Sequence, residues 1–82
     1  MYQDLASAPS RVINVKQTMR ALERGIVSTM YVARDAEERV VRDLKALALA
    51  KGIPVTPVES MDELGKVCGI DVGAAAAAIL HE

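Results

Sequence analysis

The sequence predicts an α/β fold: one sheet with helices on both of its faces. Three observations point to it. Apolar residues alternate between helical spacing and short β-branched runs, which gives the order α-β-α-β-α-β-α-β. The connections between these segments are short, so residues 1–82 form a single domain with no linker. Glycines and capping residues punctuate the boundaries where helices should stop and start.

In chain order, Tyr2 to Ala8 is expected as a short helix ended by Pro9, and Arg11 to Asn14 as the first strand. Val15 to Arg24 is the second helix. Val15, Thr18, Met19, Leu22 and Ile26 recur on one face, Asn14 is placed to accept from the first free N–H groups, and Gly25 is placed as a left-handed C-terminal cap. Thr29 to Ala33 is a second strand. Asp35, with Glu38 three residues on, has the pattern of a capping box, opening a helix whose buried face is Val40, Val41, Leu44, Leu47 and Ala48 and whose end is Gly52. Ile53 to Val58 is a third strand, confined to a sheet edge by Pro54 and Pro57. Ser60 and Glu63 form a second capping box, and the helix they open runs through Leu64 and Val67 to Gly69. Ile70 to Gly73 is a loop, and Ala74 to Leu80 a final buried strand despite the weak strand propensity of alanine.

Composition bounds the function. Half the chain is hydrophobic, but it contains no apolar run of about 18 residues, so no membrane partner is expected. Met1 to Ser10 contains Asp4 and no apolar stretch, so no signal segment is expected. One cysteine, Cys68, fits a reducing cytoplasm and reads as a small core residue. His81 is the single histidine, and there is no Cys/His cluster, P-loop or G-x-G-x-x-G pattern, so neither metal, cofactor nor catalysis is expected. The carboxylate pairs Glu37-Glu38 and Asp62-Glu63 fall in first helical turns, where the helix dipole accounts for them.

The charge is unevenly spread. Arg11, Lys16, Arg20, Arg24 and Arg34 against Glu23 make residues 11–34 +4, which leaves −5 elsewhere in a chain of net −1. That asymmetry points to a local anion site and away from diffuse attraction. Lys16, Arg20 and Arg24 recur every four residues, and like charges so spaced repel by about 0.2–0.5 kcal/mol per pair. A polyanion outside the helix would compensate them. Lysine and arginine match guanine O6 and N7, and glutamine matches adenine, so Lys16 and Gln17 could read base edges. With only Tyr2 and Tyr31 aromatic, stacking platforms for single strands are lacking. Ile70, Val72 and Ala74, alternating with Asp71 and Gly73, either plug the core or offer an apolar surface to an unstacked base.

Four segments occur in register: Ile13-Asn-Val-Lys-Gln-Thr-Met-Arg-Ala-Leu-Glu-Arg-Gly25, Tyr31-Val-Ala-Arg-Asp35, Gly52-Ile-Pro-Val55 and Glu63-Leu-Gly-Lys-Val-Cys-Gly-Ile-Asp-Val-Gly-Ala-Ala75. From about Leu5 to Leu80 the chain resembles the small ribosomal proteins that bind kink-turn RNA, most closely their bacterial YbxF-type branch. The resemblance implies a three-layer α/β/α sandwich with a four-stranded mixed sheet whose last strand is antiparallel. It implies a monomeric cytoplasmic partner of ribosomal or riboswitch-type RNA, not of DNA, that stabilises a bend built on tandem sheared G·A pairs. The family's Gly-x-Asn-Glu aligns with Asn14, Val15, Lys16 and Gln17, so Lys16 and Gln17 would read the G·A edges, with Arg20 in place of a family lysine; Arg24 and Arg34 join the expected RNA-binding residues through the charge pattern alone. Glu37 aligns with an acidic residue near the basic contact, and Ile70 to Ala74 would cover a flipped-out nucleotide. Three departures stand out: Asn14 for glycine, an amide for a carboxylate at Gln17, and Gly73 where many relatives carry proline. The alternative reading is a protein-interaction or small-ligand module on the same scaffold, its RNA binding weakened by Asn14.

Overall fold

The computed structural model describes residues 3–81. Four helices, α1 (Gln3–Ser7), α2 (Val15–Arg24), α3 (Glu38–Ala50) and α4 (Met61–Val67), alternate with four strands, β1 (Arg11–Ile13), β2 (Val27–Ala33), β3 (Val55–Val58) and β4 (Ala76–Leu80). The expected α/β/α sandwich is what forms. Tyr2, expected in the first helix, lies outside the described residues.

The sheet has the order β1-β4-β2-β3. β4 runs antiparallel to both neighbours, pairing Val12 with Ala78 and Met30 with Ala78, while β2 and β3 are parallel, Met30 facing Val55. β3 is at the edge, as its prolines require. The carbonyl of Pro54 accepts from Met30 and that of Val58 from Arg34, so the even-numbered residues of β3 face β2. Val55 and Pro57 therefore turn to the open side, where Pro57 has no N–H to offer a further strand.

Each face of the sheet carries its own core. On one side α2 and α3 pack Ala21, Leu22, Val41, Leu44 and Ala48 against Val27, Met30, Val32, Ala76 and Ala78. On the other, Leu5, Leu64 and Cys68 pack against Tyr31, Ala33, Val58 and Ala77. Ala76, Ala77 and Ala78 are fully buried. Their small side chains let both helical layers close on the central strand, and burial there outweighs alanine's weak strand propensity.

Three helices end alike, in Gly25-Ile26, Gly52-Ile53 and Gly69-Ile70. In each, the glycine has positive φ and the isoleucine N–H bonds back to Ala21, Ala48 or Gly65, the pattern of a Schellman cap.

Several boundaries differ from the sequence expectation. β2 begins at Val27 and includes a register shift between Val27 and Thr29. β3 begins at Val55 because Ile53 closes the preceding helix cap, and β4 begins at Ala76 because Ala74 bonds to Met61. The capping box at Asp35 does not form. The N-cap of α3 is Glu37, without a side-chain bond, while the Asp35 carboxylate accepts from the N–H of Met61 at 2.8 Å. Asp35 thus caps the neighbouring helix α4, where Ser60 Oγ accepts from Glu63 at 3.0 Å as its sequence pattern indicated.

Candidate nucleic-acid interface

One end of the sheet gathers the segments singled out in the sequence. The N–H of Asn14 donates to Ala76 at 2.9 Å and that of Ala33 to Ala75 at 3.0 Å. The exits of β1 and β2 therefore flank the entry to β4, with Asn14 to Gln17 on one side, Arg34 to Glu37 on the other, and the run from Ile70 to Ala75 between them. The loops at strand carboxyl ends in such sheets are common ligand sites.

At the first of these segments the chain turns sharply. Asn14 is the one non-glycine with positive φ among the described residues, at φ 84° and ψ 162°. This is not the left-handed helical region that asparagine tolerates but the neighbouring region that essentially only glycine occupies. The Asn14 side chain accepts from the N–H of Gln17 at 2.9 Å. That bond caps α2 and fixes the direction in which the helix leaves the sheet.

Along α2, Thr18, Ala21 and Leu22 are buried, and Val15 and Met19 are partly buried against the core. Lys16, Gln17, Arg20 and Arg24 are exposed. Among the described residues, Lys16, Arg20 and Arg24 form no ion pair. Lys16 and Arg20 line a shallow groove between α2 and α3 with Val15, Met19, Glu23, Val40 and Asp43. Arg24 stands two turns from Lys16, about 12 Å along the axis, where it complements the helix C-terminus. The Thr18 hydroxyl, buried under the first turns, has no hydrogen-bond partner among the described residues.

Across the sheet end, Arg34 is exposed and within 3.8 Å of Glu59, and Glu37 holds Arg39 at 2.8 Å. Both contacts are on the surface, where such pairs contribute little and can exchange partners.

The Ile70–Ala74 loop divides its residues. Ile70 packs on the α4 side core and Ala74 is buried, so these two plug the fold. Asp71 is exposed, and Val72 exposes 70% of its surface. Gly73 lies against Met61. Of the apolar residues expected either to plug the core or to face a base, Val72 alone is left for the second role.

Two residues act differently from their sequence reading. Arg11, counted with the basic segment, turns inward: its guanidinium donates to the carbonyls of Leu5 at 2.8 Å, Ala6 at 3.1 Å and Cys68 at 2.9 Å. It caps the ends of α1 and α4 and leaves the cationic surface to Lys16, Arg20, Arg24 and Arg34. Gly65, which the sequence reading passed over, is buried beneath the Ile70–Ala74 loop. A glycine in the middle of a helix was the available signal, since it weakens the helix and calls for a packing reason. Burial raises the Cys68 thiol above its ordinary 9.0, with nearby Arg11 pulling it partly back. It is a core residue, not a reactive thiol.

Comparison with known proteins agrees with the fold. Residues 4–82 match the model of the ribosomal protein L7Ae/L30e/S12e/Gadd45 family. The chain is 49% identical over 78 residues to the RNA-binding protein BH0128 of Halalkalibacterium halodurans, covering 95% of each chain. It is 46% identical over 80 residues to the RNA-binding protein YbxF of Geobacillus stearothermophilus, covering 98% of each. The solved 15.5kD RNA binding protein of Giardia lamblia superposes with a TM-score of 0.86 at 23% identity, over 98% of this chain and 68% of that one, and so shares its fold.

Proposed function

Because this chain belongs to the ribosomal protein L7Ae/L30e/S12e/Gadd45 family, we propose that it binds structured RNA and stabilises a kink-turn, without catalysis. The names of the relatives supply the partner class. One observation of this chain carries the reading further: the exposed cations of α2, which meet no acidic partner among the described residues, begin at a capped helix tip on the same sheet end as the Val72 loop. The free N–H groups and dipole of α2 attract phosphate there. The Gln17 side-chain amide, exposed and without a hydrogen-bond partner among the described residues, would pair with a base edge, and Lys16 would supply donors to guanine O6 and N7. A regular RNA helix buries those edges in a narrow groove, so only a bent or opened duplex would admit the tip. Arg20, Arg24 and Arg34 contribute to backbone attraction, and Val72 meets a nucleotide outside the stack.

Titration of the protein against a kink-turn and a straight duplex of equal length tests the proposal. Tighter binding to the kinked RNA at matched salt is expected, and equal affinity for the two would sink it. A second reading, a protein- or small-ligand module on this scaffold, is favoured by a cleft of about 280 Å³ between α3 and the β3 edge, lined by Val41, Val55 and Pro57 together with Arg34, Glu38 and Lys45. A gel shift without a complex at micromolar protein, rescued by Asn14→Gly, would favour that reading.

A further inference from the structure

We propose that Gly65 is a positioning residue of the RNA interface: its missing side chain lets the loop from Gly69 to Ala74 lie down on α4 and hold Val72 out at the sheet end. The inference rests on the RNA-binding reading above and adds to it a residue that touches no RNA.

Glycine is the poorest helix former after proline, yet Gly65 sits in the middle of the seven-residue α4 and is buried. The reason is the loop. A Cβ on Gly65 would collide with the carbonyl oxygen of Val72 and press on the backbone at Gly73. The loop is pinned on either side of that contact: Ile70 N–H donates to the Gly65 carbonyl at 3.0 Å, and Ala74 N–H to Met61 at 3.0 Å. At Gly73 a Cβ would meet that of Met61 at 3.2 Å, so the loop has a second close approach to the same helix. The atoms that a Gly65 Cβ would meet, the Val72 carbonyl and the Gly73 Cα, are backbone, which cannot swing aside as a side-chain tip can. The Val72 side chain, free of these contacts, stays 70% exposed. A rigid loop that presents one apolar side chain loses little freedom when a base rests against it, and a displaced loop presents that side chain in the wrong place.

The test uses Gly65→Ala, Val72→Ala and the double variant. Each is titrated against a kink-turn carrying its unpaired nucleotide and against the same RNA with that nucleotide made abasic. On the intact RNA each single variant is expected to lose at least about tenfold in affinity, on the scale of a misplaced contact. On the abasic RNA both should bind nearly as wild type does, and the double variant should lose no more than Gly65→Ala alone. The salt dependence should not change, because the cations of α2 are untouched. Amide exchange in Gly65→Ala should quicken at Ile70 and Ala74 while the core of the sheet stays protected. If Gly65→Ala does not fold, Gly73→Ala lifts the loop by less and carries the same comparison. Wild-type protein that fails to prefer the kinked RNA overturns the function proposed above. If wild type does prefer it, the Gly65 inference fails when the variant binds the intact RNA unchanged, or loses equally on both RNAs.

Discussion

At the scale of single residues, two positions on one turn bear most directly on the proposed RNA interface. Lys16 stands at the positive end of α2, exposed and with no acidic partner among the described residues. Lys16→Ala is expected to weaken kink-turn binding by about 1–3 kcal/mol, as measured by titration. Arg24→Ala, two turns away, should cost less and reduce the slope of log affinity against log salt by roughly one. Asn14 combines two opposing effects. Its side chain caps α2, and replacing an asparagine cap by glycine costs a few tenths of a kcal/mol. Its backbone occupies a glycine region at a cost of about 1–3 kcal/mol. The strain is the larger, so Asn14→Gly should stabilise the fold by about 1 kcal/mol and raise the melting temperature by roughly 4–8 °C. Thermal unfolding followed by circular dichroism checks this, and a lower melting temperature would mean that the cap outweighs the strain.

At the scale of elements, helix ends are tied together by residues far apart in the chain. Arg11 on β1 holds the last carbonyls of α1 and α4 through one guanidinium, and Asp35 after β2 holds the first N–H of α4. Charged hydrogen bonds of this sort contribute about 1.5–3 kcal/mol each when a partner would otherwise be left unmet. Arg11→Met keeps the apolar stem and removes the donors, so it should destabilise the fold by roughly 2–3 kcal/mol in urea unfolding. RNA affinity of the folded variant should barely change, since Arg11 faces inward. The starts and ends of elements were legible where one local signal was enough: Ser60 with Glu63, and the three Gly-Ile pairs. Asp35 with Glu38 had the same local pattern as Ser60 with Glu63 but failed, because the carboxylate found a better-placed donor at Met61. Nothing within four residues of Asp35 could have shown that.

At the scale of the whole molecule, the two faces of the sheet differ in their titration. Tyr31, raised above 10.0 by burial and further by Asp4, and Cys68, raised above 9.0 by burial against the smaller pull of Arg11, both belong to the α1/α4 side. In each case the folded chain keeps its proton to a higher pH than the unfolded chain does. The unfolded state therefore binds fewer protons once pH passes its own pKa, and stability falls with rising pH from there. Stability from these groups should be intact below about pH 8.5 and decline through the alkaline range above it, as read from urea midpoints measured between pH 7 and 11. Cys68→Ala should remove the earlier part of that decline, and its persistence unchanged would mean that Tyr31 or another group is responsible. The thiol should resist alkylation at neutral pH until the protein is unfolded.

By itself the sequence determined the kinds of element, their order, most of the apolar faces of α2 and α3 and the spacing of the cations on α2, although Val40, expected on the buried face of α3, is 40% exposed at the groove beside α2. All of these depend on residues within a turn or two of one another, where spacing and capping act directly. Only the tertiary structure decided that β4 lies between β1 and β2, that Asn14, Arg34 and the Val72 loop share one end of the sheet, and that Arg11 faces inward. It alone gave Asp35 its partner 26 residues away, Arg11 one 57 residues away, and Gly65 the loop it must admit. Those contacts depend on how separate elements pack, and packing is set by the joint volume and twist of the layers rather than by any stretch that contributes to them.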